Sequence, residues 1–303
     1  ISELQKAGIK TTLLKGTALI VDYYQDYGIR FMDDFDIFVP VKDAIPGINL
    51  IKNLGWKSPE IDSYSFAFKH AMDFQKENKY NLDLHWHIIP HCLKNNDDDD
   101  FWSRVILTKI NDLSIYTLSP TDHLFHVCIH GSRWHEEISP IRWVADAMII
   151  INLAGDKIDW ETLVILAEKR KLVLRLKHGL MLLKELLNAP IPEHILQKLE
   201  AIPISQFDLL VYKATTREGG EEKIAPIFWS LILKYYYYLE VKDQHNLILN
   251  LLGFPRYLQY AWDLDYLWQV PGYMITKLSK RIYQDLLKLI NSAFRLFDYS
   301  NSQ

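Results

Sequence analysis

Cysteine is nearly missing from this chain. Two thiols, Cys92 and Cys128, stand among 303 residues, too few for a disulfide framework and compatible with a reducing compartment. Glycine-rich phosphate loops are missing as well: the sequence carries neither a Gly-x-Gly-x-x-Gly run nor a His-Arg-Asp catalytic loop, which argues against a kinase-type phosphotransferase. A basic surplus is also lacking. With 34 Lys and Arg against 38 Asp and Glu, the formal net charge is −4, the wrong sign for a protein that grips long nucleic acid by its phosphates. No apolar run reaches membrane-spanning length; the most apolar, residues 226–239, is short and interrupted by Lys234. No leader is recognisable, so a cytoplasmic location away from membranes is expected. The chain begins at Ile1 inside what reads as a helix over Ser2–Ala7, so further sequence upstream is expected.

What is present is enough apolar material for two domains, 49% of residues, and an unusual placement of acids. Asp36 and Asp83 each lie between apolar residues on short strand-like runs, and Asp34 lies between Asp33 and Phe35 at the head of the first of them. Alternate residues of a strand share a face, so Asp34 and Asp36 point together, as do Asp83, His85 and His87. Three carboxylates converging on one point repel unless cations lie between them. Mg²⁺ is the hard, oxygen-seeking cation that suits such a place, with substrate phosphates completing its shell. Upstream, the apolar pair Leu13 and Leu14 runs into Lys15, Gly16 and Thr17, which open a helix over 17–25. A glycine there lets a phosphate approach the backbone, and Lys15 is within reach of a triphosphate.

These residues, in this order, resemble the DNA polymerase beta-like nucleotidyltransferase superfamily. Its pattern of Gly with Ser or Thr, an Asp-x-Asp strand and a later single Asp strand is matched by Gly16-Thr17, by Asp34 and Asp36, and by Asp83. Within the superfamily, KGTAL (15–19), YGIRFMDDFDIFV (27–39), LDLHWH (82–87), CIHGSRWH (128–135) and IRWVADAM (141–148) look like the bacterial uncharacterised nucleotidyltransferase family. The resemblance covers roughly residues 5–150. It implies a magnesium-dependent enzyme that moves a nucleoside monophosphate, AMP by analogy, from a triphosphate such as ATP to a hydroxyl of a small molecule or protein. Asp34, Asp36 and Asp83 would hold metal, and Lys15, Gly16, Thr17 and His85 would meet the nucleotide. A non-catalytic nucleotide-binding or partner-binding module with the same fold is the alternative; three clustered charges in a retired site speak against it.

The expected architecture is α+β. Residues 1–118 form a small nucleotidyltransferase α/β domain with a mixed sheet, its strands at 11–15, 35–39, 66–75, 80–88 and a pair within 104–117. A larger, mostly helical domain follows over 119–303, opened by Ser119-Pro120. In it His123, His126 and His130 recur on one helix face, which reads as packing histidines better than as metal ligands because no zincin-like glutamate stands nearby. His130, Arg133 and Asp146 fall in the family-like segments and are expected near the acceptor side of the cleft. Trp134 and Trp143 read as core or interface aromatics. The set His85, His87, His91 and Cys92 invites a zinc reading that strand alternation and Pro90 oppose. The acidic run 94–100 reads as a solvated loop leading into a helix at Phe101.

Overall fold

The computed structural model describes residues 1–26, 28–110, 112–131, 140–215, 227–242 and 246–280, together with positions 283 and 287. The first half runs α1 (Ser2–Lys6), β1 (Thr12–Leu13), α2 (Lys15–Leu19), a π-helical turn (Ile20–Tyr24), β2 (Phe35–Phe38), α3 (Val41–Asn53), α4 (Ser63–Phe66), β3 (Ala71–Lys76) and β4 (Tyr80–His85). Then come α5 (Asp99–Arg104), β5 (Ile106–Ile110), β6 (Leu113–Thr117) and helices α6 (Pro120–Gly131), α7 (Pro140–Ala154), α8 (Trp160–Lys169), α9 (Val173–Leu187), α10 (Glu193–Ala201) and α11 (Gln206–Thr215). Residues 1–222 form one compact unit and 223–303 another, which contains α12 (Ile227–Val241) and α13 (Leu247–Ala261). The expected α+β class, a mixed sheet followed by helices, is what the chain adopts. Among the described residues no helix is long and apolar enough to cross a membrane.

The six strands pair in the order β3-β4-β2-β1-β6-β5. β2 runs parallel to β4 and β1 parallel to β6, while the β3–β4 and β5–β6 hairpins and the β1–β2 pair are antiparallel. Alternation along β2 and β4 then sorts side chains to two cores. Ile37 and Val39, with Leu82, Leu84 and Trp86, enter a cluster with Ala44, Ile48 and Ile51 of α3, residues whose helical spacing puts them on one stripe. Phe38 turns the other way, into the large cluster that the helices from α6 to α10 share. Asp36, two residues before Phe38, and Asp83, between Leu82 and Leu84, therefore face the helical side.

Two sequence expectations change in detail. The strand expected over 66–75 begins only at Ala71, because Asp62 caps the short helix α4 by accepting from the Ser65 N–H at 2.7 Å. The acidic run is not wholly solvated. Asp98 is buried, bonded to His87 Nδ1 at 2.6 Å and to the Ile88 N–H at 3.2 Å, and Asp100 accepts from buried Arg170 Nη2 at 2.6 Å. Fixed cationic and N–H partners supply what water would otherwise give these carboxylates.

The packing of α6 on α7 shapes the cleft described next. An added Cβ on Gly131, the last residue of α6, would overlap the side chain of Trp143 on α7. Trp143 is itself buried. Gly131→Ala is expected to destabilise the fold by about 1–3 kcal/mol, a melting point about 2–10 °C lower; an unchanged melting curve would contradict this packing.

Candidate active site

β2 and β4 lie side by side with Asp36 opposite Asp83 and Phe38 opposite His85. This register is what gathers the group. Atoms of Asp36, Asp83 and His85 all come within 4.8 Å of one another, and His85 Nε2 is 2.9 Å from Asp36 Oδ1. β2 starts at Phe35, so Asp34 stands in the bend just before the strand, half-buried beside Asp36 rather than within the ladder. On the far side of β4, Asp73 of β3 pairs with Asp83 and adds a further like charge.

Lys15 completes the cluster. It opens α2 with φ 45°, in the left-handed region that a lysine seldom adopts, and its Nζ lies 2.5 Å from Asp36 Oδ1. The ammonium therefore faces the carboxylates directly. Burial alone would lower the lysine, but Asp36, with Asp83 and Asp34 behind it, holds its pKa above the ordinary value.

The two paired carboxylates are shifted in opposite directions. Burial would raise Asp36, yet the hydrogen bond from His85 and the charge of Lys15 outweigh it and hold Asp36 well below the usual carboxylate range. Among the described residues Asp83 has no hydrogen bond or ion pair of that kind. Burial first, then the charges of Asp36 and Asp73, push it up to about 7. Asp34 is also raised, by burial and then by Asp36. Neighbouring acids pushed apart in this way are the electrostatic mark of a functional site.

A divalent ion fits this donor set. The carboxylates of Asp36 and Asp83 carry a charge that one ammonium only partly offsets, and their oxygens suit a hard cation. His85 turns one ring nitrogen to Asp36, while its buried Nδ1 has no hydrogen-bond partner among the described residues. Oxygens would then serve as the ligands, and the imidazole would orient one of them, as outer-shell partners commonly do.

The group opens into a cleft of about 220 Å³. Lys15, Gly16, Arg30, Asp34 and Asp36 border it from the sheet side, and His126, His130, Trp143 and Asp146 from α6 and α7. His130 and Asp146 are thus both brought to the cleft, and Arg133 lies outside the described residues. Gly16 is less open than its sequence context suggested, since the Met32 side chain and the Arg30 guanidinium lie over it. Thr17 is buried and its hydroxyl donates to Met32 Sδ at 3.6 Å.

Sequence reasoning overlooked Arg30 and read His126 as a packing residue. His126 is buried and held well below the ordinary histidine range by burial and by His130, yet it borders the cleft. Nothing in the spacing of the histidines told which of them faces the carboxylates. For Arg30 the available signal was its position four residues before Asp34, a cation leading into an acidic strand.

A mixed sheet that brings paired carboxylates to the edge of a helix-walled cleft is the layout of a nucleotidyl-transferring enzyme. The chain belongs to the uncharacterised nucleotidyltransferase family, whose model matches residues 1–188. No curated protein matches it. Among solved structures it is similar to the antibiotic-resistance factor ANT(2'')-Ia, at 12% identity over 58% of this chain and 91% of that one, with a TM-score of 0.42. It is also similar to an antigenic nucleotidyltransferase-like protein from Paracoccidioides brasiliensis, at 12% identity over 68% and 91%, with a TM-score of 0.40.

Proposed function

We propose that this nucleotidyltransferase moves a nucleoside monophosphate, AMP from ATP, to a hydroxyl of a small molecule or a protein side chain and releases pyrophosphate. The observation that carries the reading is the register of Asp36 with Asp83, which sets Asp83 beside an Asp36 that lines the cleft and pairs with Lys15. Asp34, Asp36 and Asp83 are the residues that would hold Mg²⁺, with His85 orienting Asp36. Bound there, the ion neutralises charge on the attacking and leaving oxygens.

The chain's own groups supply the rest. Gly16 and, behind it, the buried Thr17 belong to the helix opening that would face the phosphates, and Lys15 would offer its ammonium to a phosphate oxygen. The acceptor hydroxyl forms its bond to the α-phosphorus as the bond to the bridging oxygen breaks. Asp83 is the carboxylate proposed to accept its proton. The acceptor meets the cleft wall formed by His130 and its neighbours on α6 and α7.

The test is incubation with Mg²⁺ and each α-labelled triphosphate in the presence of a lysate of the source organism, following both pyrophosphate and label. Label on a small molecule or on a protein, with matching pyrophosphate, supports the reading. Triphosphate binding without pyrophosphate from any of the four would sink it in favour of a binding module, and release of orthophosphate or a diphosphate would mark a hydrolase or kinase.

A further inference from the structure

Resting on the reading of this cleft as a nucleotide site, we infer that Arg30 takes the polyphosphate tail of the nucleotide, and that Asp146 on α7 is the positioning residue that aims it. Arg30 lies between the π-helical turn and β2, flanked by the exposed side chains of Ile29 and Phe31. The chain on either side does little to anchor it. Its guanidinium is fixed all the same. Nε donates to Asp146 Oδ1 at 2.8 Å and Nη2 to Asp146 Oδ2 at 2.9 Å, a two-point clamp. Asp146 is buried in turn and accepts a further hydrogen bond from the Tyr24 hydroxyl at 2.8 Å.

A guanidinium has five N–H groups. The clamp uses two, and Nη1 gives a third to the Phe31 carbonyl at 2.6 Å. One N–H on Nη1 and one on Nη2 are left, and no described residue accepts from either. That end of the fork borders the cleft beside Gly16, where Nη1 stands 3.3 Å from the position a Cβ would take. Two spare N–H groups on a positive, held guanidinium suit the oxygens of a phosphate.

The surroundings narrow the ligand class. Asp33, Asp34 and Asp36 line the same cleft as Lys15, Arg30 and Arg142, a surface of mixed charge that suits an anion arriving with its own cation better than a lone carboxylate. A polyphosphate arrives with its own divalent cation and needs a separate donor for the far oxygens. Arg30 supplies that donor, on the side of Gly16 where Lys15 also stands. Asp146, with both oxygens engaged by Arg30, then acts through the guanidinium rather than on the acceptor.

Calorimetric titration of the full chain with inorganic tripolyphosphate in magnesium buffer tests this independently of base and acceptor. Arg30→Ala is expected to weaken binding by about tenfold to a hundredfold, the loss of a charge-assisted pair of hydrogen bonds. Arg30→Lys, which keeps the charge and loses the fork, should fall between it and the parent. Asp146→Ala should also weaken binding, and should have no further effect when Arg30 is already alanine. Should Arg30→Ala fail to fold by circular dichroism, Arg30→Lys and Arg30→Gln carry the comparison. Three results overturn the inference: a parent that binds no tripolyphosphate, Arg30 variants within about twofold of it, or an Asp146→Ala loss that persists undiminished in the Arg30→Ala background. If the binding results are as expected but no α-labelled triphosphate yields transfer, the inference stands and the transferase reading fails.

Discussion

Asp36→Asn is expected to cut nucleotidyl transfer by about a thousandfold or more, and to lower the melting temperature of the metal-free protein by about 4–8 °C. Both effects come from one oxygen, Oδ1, which meets Lys15 Nζ and His85 Nε2. Read from sequence alone, removing a carboxylate from a repulsive trio should have left the fold intact or even stabilised it. The structure reverses the sign for Asp36, because this carboxylate is the partnered one. Its replacement leaves a mostly buried ammonium without its counter-charge, worth about 2 kcal/mol. Transfer assays with saturating Mg²⁺ and triphosphate, alongside thermal melting without ligand, check the two halves. Parent-like transfer by the folded variant would remove Asp36 from the site, and a parent-like melting curve would contradict the ion pair.

Asp83→Asn should lose transfer to a similar degree and yet gain stability. In the folded protein Asp83 is raised to about 7, well above the ordinary aspartate range, so the folded state holds its proton more tightly than the unfolded chain does. The stability this group contributes is therefore fully present below pH 4 and is lost as pH rises from about 4 to about 7. An asparagine cannot ionise and avoids that loss. Asp83 is partly open to solvent, which discounts the effect to about 1 kcal/mol, or ~2–4 °C in favour of the variant at pH 8 in chelator. At pH 4 the two melting curves should coincide. A variant less stable than the parent at pH 8 would show that Asp83 is partnered after all.

Much of this site was legible in the order of residues. Asp34, Asp36 and Asp83 stood out because charged groups between apolar neighbours on strands have to face something, and period-two alternation says which residues face it together. Gly16-Thr17 ahead of the paired acids narrowed the chemistry. The mixed α+β class followed from strand-like runs giving way to amphipathic helices after Ser119. These are local properties, fixed by pattern within a few residues.

Other features depended on contacts across long stretches of chain, and only the tertiary structure decided them. Which of the acids has its proton affinity lowered and which raised is one. Strand spacing gives Asp36 and Asp83 the same description, but the parallel register of β2 with β4 and the reach of Lys15 leave one with two partners and the other with like charges. The partner of Arg30 is another, since Asp146 lies 116 residues further along. The same holds for Asp98, a member of a run that looks solvated until His87 is folded against it. Side-chain type and period are written in the sequence itself, whereas a pKa or a clamp depends on distances that exist only once the sheet and helices α6 and α7 share a core.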